Sequence, residues 1–259
     1  MAIMLPEDFS EILKIENAPQ RLNEARDVAH QIVSSGVQLN PQMDHAAIFT
    51  DPPHLVAGPL KKMGYVAGWD NRCYPSPVDG QDYINVSSGL PDAHPALMKG
   101  WFRYVAVVHP VDQAARDQML NQGYGNPFIH HLTWGISPPE THAKTALDAS
   151  VAAIAYMIDV RETIGKTLSS KPGTLIMALP EAVTQDPEAA MRLETCLSSL
   201  DRNSYQLETM DGGGLLIQFF VLTGGRIEVA LRMETHQTFN PKSVHKISQD
   251  EISTHQTDP

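Results

Sequence analysis

The stretch that most constrains this chain is 127–137, PFIHHLTWGIS, two adjacent histidines inside a strand pattern. In a regular strand, side chains alternate between faces. Phe128, His130, Leu132, Trp134 and Ile136 then form one bulky face, expected to pack against helices. Ile129, His131, Thr133 and Gly135 form the other, small and polar around His131, with room for a ligand. A similar phrase occurs earlier, Asp44-His45-Ala46-Ala47-Ile48. Later, Arg226-Ile227-Glu228-Val229-Ala230-Leu231-Arg232 reads as a strand carrying an acid among aliphatics. Two histidines and a carboxylate, each on its own strand, are the donor set of a metal site.

Composition excludes several alternatives. With 19 basic and 30 acidic side chains the net charge is −11, which argues against nucleic acid or an anionic membrane as partner, since both demand concentrated basic surface. The charged fraction of 19% and hydrophobic fraction of 42% are those of an ordinary globular protein. Cys73 and Cys196 form no CxxC pair and no disulfide framework, so reduced thiols are expected. The first residues lack the basic segment and apolar run of a signal peptide, and no run approaches the roughly 20 apolar residues of a membrane span. A cytoplasmic location is the expectation. No GxSxG, HExxH, Walker or Rossmann pattern occurs, and Gly212-Gly213-Gly214 is followed by no helix.

Taken in order, periodicity predicts helix over 6–35, broken near Asn17-Ala18-Pro19, then a strand at 43–50 and a helix from Pro52-Pro53 to about Met63. Strands are expected at 65–69, 82–87 and 101–109, a helix at 112–121, and the histidine strand at 128–136. A long helix over 139–168 precedes a strand at 174–179 and a helix from Asp186 to about Leu200. Three strands follow at 204–210, 214–222 and 226–233, and the residues after about Lys246 are polar.

Strand, helix, three strands thus occurs at 43–109 and more loosely again at 174–233. A second module starting at Thr174 makes the long helix an insertion, whereas one starting at Phe128, the version favoured, makes 139–200 an enlarged crossover and gives both modules a histidine in the first strand. In this order the chain resembles the vicinal oxygen chelate, or glyoxalase-like, superfamily, in which paired βαβββ modules curve around a metal-binding cavity. The implied fold class is α+β: an N-terminal helical segment at 1–40, a first module at 41–127, an enlarged second module at 128–246 and a polar tail at 247–259. Carried over phrase by phrase, the resemblance implies His45, His131 and Glu228 as metal ligands, with Fe(II) preferred and Zn, Mn or Ni able to occupy the same set. Glu228, Arg232 and His130 are the candidate catalytic side chains. By the period of two, Arg226, Glu228, Ala230 and Arg232 share a face, so an arginine beside the metal can hold a substrate carboxylate. The phrase at Asp44-His45 and the N-terminal helical extension look like the 2-oxoadipate dioxygenase/decarboxylase family. That family carries a carboxylate-binding arginine four residues past the histidine, where this chain has Phe49.

The function expected is a metal-dependent enzyme, a dioxygenase/decarboxylase or related lyase, acting on a small anionic oxygenated acid. A homodimer is what family habit implies. Two other readings stand beside it: a metal-free acid–base enzyme using Glu228 or a histidine for condensation or isomerisation, and a protein that binds a small molecule without turnover.

Overall fold

The computed structural model describes residues 13–75, 81–91, 94–99, 101–137, 145–210, 214–221 and 227–233. The first helical piece expected at 6–16 lies mostly outside them, as do Arg226 and everything after 233.

Nine strands form one mixed sheet in the order β2-β3-β4-β1-β5-β9-β8-β6-β7. The first half comprises β1 (Leu39–Phe49), α2 (His54–Lys62), β2 (Val66–Pro75), β3 (Asp82–Gly89) and β4 (Tyr104–Pro110), preceded by α1 (Ala18–Ser34) and followed by α3 (Gln113–Leu120). The second comprises β5 (Phe128–Ile136), α4 (Ala146–Thr167), β6 (Leu175–Pro180), a short α5 (Glu181–Thr184), α6 (Pro187–Leu197), β7 (Tyr205–Met210), β8 (Leu215–Val221) and β9 (Ile227–Met233). In each half the first strand pairs in parallel with the last, β1 with β4 and β5 with β9. The halves meet where β1 and β5 pair antiparallel. The α+β class and the paired strand–helix–strands order expected from the sequence are present.

The second half differs from a plain repeat at β7. The three strands expected at 204–210, 214–222 and 226–233 do not follow one another across the sheet in chain order. Instead β6 sits next to β8, and β7 lies outermost, parallel to β6. Composition explains the exchange. Tyr205–Met210 carries exposed Gln206, Leu207 and Thr209, tolerable on an edge, whereas Leu215–Val221 is buried at six of seven positions.

The helices cover one face. α1 presents Leu22, Ala25, Val28, Ala29 and Ile32 to the sheet, and α4 presents Leu147, Ile154, Met157 and Ile164. Against them pack Ile129, Leu132, Trp134 and Ile136 of β5, each worth about 1.5–3 kcal/mol when fully buried. The opposite face is split. Ala47, Phe49, Tyr83, Ala106, Val108 and Phe128 form a second cluster closed by Ala115 and Met119 of α3. Near the middle, polar side chains take over.

One buried polar contact ties α1 to this sheet. β9 pairs with β5 from Leu132 onward, leaving Ile129 without a strand neighbour on that side among the described residues. The Asn17 amide takes the place of a strand: its Nδ2 donates to the Ile129 carbonyl at 3.1 Å and its Oδ1 accepts the Ile129 N–H at 2.9 Å. Asn17→Ala strands both groups and should cost about 1–3 kcal/mol by chemical denaturation. Asn17→Asp should not restore the loss, because it sets a carboxylate oxygen against the Ile129 carbonyl.

Candidate metal centre

The β1–β5 seam builds the site. Cross-strand partners share a face, so the pairs His45↔Thr133 and Ala47↔His131 place both histidines on the face turned away from α1. β9 adds Glu228 beside Thr133, and β8 adds Phe220 beside Glu228. His45, His131 and Glu228, from three strands, therefore converge, each with one ligand atom within 4.8 Å of the others. Glu228 Oε2 lies 3.3 Å from His45 Nε2 and 3.8 Å from His131 Nε2. Two ligands bound to one ion at about 2.0–2.2 Å are at most about 4.4 Å apart, so both separations suit a shared cation. The side chains are secluded: Glu228 is 1% exposed, His131 8% and His45 9%.

Two β-bulges shape this arrangement. Between Met43 and His45, strand β1 has one residue too many for β5; between His131 and Ile129, strand β5 has one too many for β1. The extra residues are Asp44 and His130. A bulge breaks the alternation and turns two consecutive side chains toward one side. Asp44 Oδ2 accordingly sits 2.8 Å from His45 Nδ1, and His130 Nδ1 sits 2.9 Å from His131 Nδ1.

This corrects the face expected for His130. It does not join Leu132 and Trp134 under the helices but lies on the histidine side, its ring stacked on Phe49 at 4.2 Å and 13°. Phe128 moves with it into the Phe49 cluster, and Ile129 takes the helix side. His131 stays where the alternation puts it, with Phe220 edge-on at 5.0 Å.

Thr133 and Asp44 complete the site, and neither is prominent in the sequence. The Thr133 hydroxyl donates to Glu228 Oε2 at 2.7 Å and lies 3.0 Å from His45 Nε2. Asp44 also accepts from Arg232 Nε at 3.2 Å, so Arg232, 42% exposed, is paired with Asp44. Asp44, Arg103, Tyr104 and Arg232 line a cavity of about 350 Å³ beside the triad. The Tyr104 ring centroid lies 5.6 Å from the guanidinium carbon of Arg103 and 5.9 Å from that of Arg232. Only the strand order, with Tyr104 opposite His45, brings Arg103 and Tyr104 here.

Electrostatics separate the two carboxylates. Burial pushes the Glu228 carboxyl up, against the opposing pull of His45, the Thr133 hydrogen bond and Arg232. Burial also works against Asp44, but the Arg232 guanidinium and the His45 ring outweigh it and hold that carboxyl well below the usual range.

No protein-family model and no curated protein sequence matches this chain. Among solved structures it is similar to a triple mutant of 4-hydroxymandelate synthase from Streptomyces coelicolor, over 83% of this chain and 54% of that one, at 12% identity and a TM-score of 0.43. It is similar to hydroxyglutarate synthase from Oryza sativa in complex with 2-oxoadipate, over 100% of this chain and 91% of that one, at 12% identity and a TM-score of 0.45. A xylose isomerase-like TIM barrel/4-hydroxyphenylpyruvate dioxygenase fusion protein aligns over 82% of this chain and 29% of its own, at 12% identity and a TM-score of 0.33. The chain thus spans about half the length of the synthase named first. No described helix is long and apolar enough to cross a membrane.

The raised Glu228 carboxyl has a consequence for the chain stripped of metal. Its proton is held in the folded state above the pH at which the unfolded chain releases it, so this contribution is full at acid pH. It is lost as pH rises from the ordinary glutamate value, about 4.3, through the folded one. Asp44, shifted downward, runs the other way, and its contribution is already complete above about 3.9. After chelator treatment, the denaturation midpoint should fall as pH rises above the ordinary glutamate value, about 4.3, and Glu228→Gln should flatten that slope. An equal slope in the variant would assign it to other groups.

Proposed function

We propose that this chain is a metal-dependent enzyme acting on a small oxygenated carboxylic acid, with the reaction of an Fe(II) dioxygenase/decarboxylase or related lyase. The observation that carries the reading is the convergence of His45, His131 and Glu228 from three strands, burying a carboxylate that has no guanidinium or ammonium within salt-bridge distance among the described residues. An isolated buried carboxylate is expensive, and a divalent cation reverses the sign of that cost. Two imidazoles and one carboxylate match the donor set of non-haem Fe(II) enzymes, and the same set accepts Zn, Mn or Ni.

A metal held by His45, His131 and Glu228 would supply a Lewis acid suited to oxygen atoms of a substrate and to dioxygen. The chain's own residues do the rest. Asp44 accepts the His45 Nδ1 proton, which leaves the Nε2 lone pair available to a cation held together with Glu228. Thr133 holds Glu228 Oε2 and fixes the carboxylate plane. Arg232 engages Asp44 through Nε, and in this reading its terminal nitrogens bind the substrate carboxylate in the cavity they share with Arg103 and Tyr104. The substrate is therefore anionic. With Phe49 packed against His130 and Tyr83, the end of the site beyond His131 is aromatic, and none of these contacts supplies a second cationic anchor among the described residues.

A second reading rests on Glu228 itself. A carboxyl with raised pKa, 3.3 Å from an imidazole, is equipped for acid–base catalysis without a metal. Metal analysis separates the two. Protein purified without an affinity tag should hold close to one divalent ion per chain, and His131→Ala should hold none while remaining folded. With Fe(II) restored, oxygen consumption should appear with some member of a panel of 2-oxo acids. Arg232→Ala should then raise KM roughly 10- to 100-fold, the loss of a charge-assisted hydrogen-bond pair, at unchanged metal content. Turnover that survives both chelation and His131→Ala would favour the metal-free reading.

A further inference from the structure

Each candidate ligand histidine has its own sequence neighbour at Nδ1. For His45 the neighbour is a carboxylate, a familiar partner for a metal-bound imidazole. For His131 it is another imidazole, His130, buried at 2% exposure with its Nδ1 2.9 Å from the Nδ1 of His131. On a regular strand the two rings would point to opposite faces. Only the bulge brings them together, and it does so at the point where β5 passes the site.

Resting on the metal reading above, we infer that His130 is a positioning residue for the centre: through the bulge its Nδ1 accepts the Nδ1 proton of His131 and so orients the His131 ring and directs its Nε2 lone pair at the ion. Only one proton fits between two nitrogens 2.9 Å apart. If His131 uses Nε2 toward the ion, 3.8 Å from Glu228 Oε2, its proton must be at Nδ1. His130 Nδ1 is then the acceptor. Stacking on Phe49, with ring centroids 4.2 Å apart and planes within 13°, holds the acceptor in place, and Phe220 braces the His131 ring from another side.

A packing role and a positioning role predict opposite orders in two variants, which makes the inference testable without knowing the substrate. His130→Phe keeps a flat ring to stack on Phe49 and removes the acceptor. His130→Asn loses the ring but places an amide oxygen close to the position of Nδ1. Co(II) affinity, measured by competition with a chromophoric chelator, and the Co(II) d–d spectrum serve as probes, beside thermal unfolding of the metal-free chains. The expected result is a crossing. His130→Phe stays close to wild type in stability, binds Co(II) about 10- to 100-fold more weakly, and shows altered bands. His130→Asn is the less stable chain, yet binds Co(II) nearly as well as wild type with the wild-type bands. His130→Gln, whose amide sits one carbon further out, behaves as the Phe variant does toward the metal. Affinities that follow stability, with Phe tight and Asn weak, would overturn the inference and leave the metal reading standing. A wild-type chain that takes up no Co(II) at all would overturn the metal reading, and this inference with it.

Discussion

The structure depends on one antiparallel pairing, that of β1 with β5. It is the only ladder joining the strands of the first half to those of the second among the described residues. It is also the ladder from which two of the three site side chains project. In each half the terminal strand runs parallel to the first, β4 beside β1 and β9 beside β5, so whatever lies on the inner face of the seam acquires neighbours from both. Tyr104 reaches His45 from one side and Glu228 reaches Thr133 from the other. A site placed on a seam inherits rigidity from both halves, because moving either histidine means breaking ladder hydrogen bonds in a sheet buried under α1 and α4.

That seam is irregular where it matters. A regular ladder alternates faces, which permits one inward side chain in two and keeps a residue and its immediate neighbour apart. A donor atom aimed at an ion needs a neighbour that holds its ring. The two bulges supply that neighbour locally, at the cost of one unpaired residue each, and they put Asp44 and His130 where no alternating strand could. Asn17 addresses a related cost, meeting both backbone groups of Ile129 next to the second bulge. The N-terminal helix is thereby joined to the site's geometry by a buried amide as well as by its apolar stripe.

Much of this was legible in the sequence, for reasons that can be named. The triad could be read because histidines recur in two similar phrases and because Glu228 stands among aliphatics that have no reason to enclose a carboxylate unless it has partners. The helices announced themselves by period and by Pro and Asp at their starts. The bulges could not be read. No glycine or proline marks Asp44 or His130, and a single extra residue changes the face of everything beyond it, which is why His130, Phe128 and Ile129 were assigned to the wrong sides by alternation alone. The place of β7 was equally hidden, since order along the chain does not determine order across a sheet. The exposed residues of Tyr205–Met210 hold the only hint. Arg103 and Tyr104 meet Arg232 through tertiary pairing, and local pattern carries no trace of it.

The two histidines are alike in sequence and unlike in setting. His45 backs onto an aspartate that is itself paired with Arg232, on the side where the cavity opens. His131 backs onto a second imidazole within an aromatic cluster of Phe49, Phe128 and Tyr83. A carboxylate behind an imidazole makes it a stronger donor than another imidazole does, so in the proposed centre the metal would be held more firmly from the open side than from the closed one. Charge follows the same division. Glu228 and Asp44 together balance a divalent ion, and Arg232 then leaves the centre one unit positive, with Arg103 adding another at the mouth. In a secluded site that surplus has a physical consequence. An anion entering from the cavity is stabilised by the guanidinium groups and the ion together, whereas a neutral molecule of the same shape has to displace water without that return. In the proposed function, a preference for an acid would thus rest on the whole charge set on the open side, without the arginine whose place Phe49 takes.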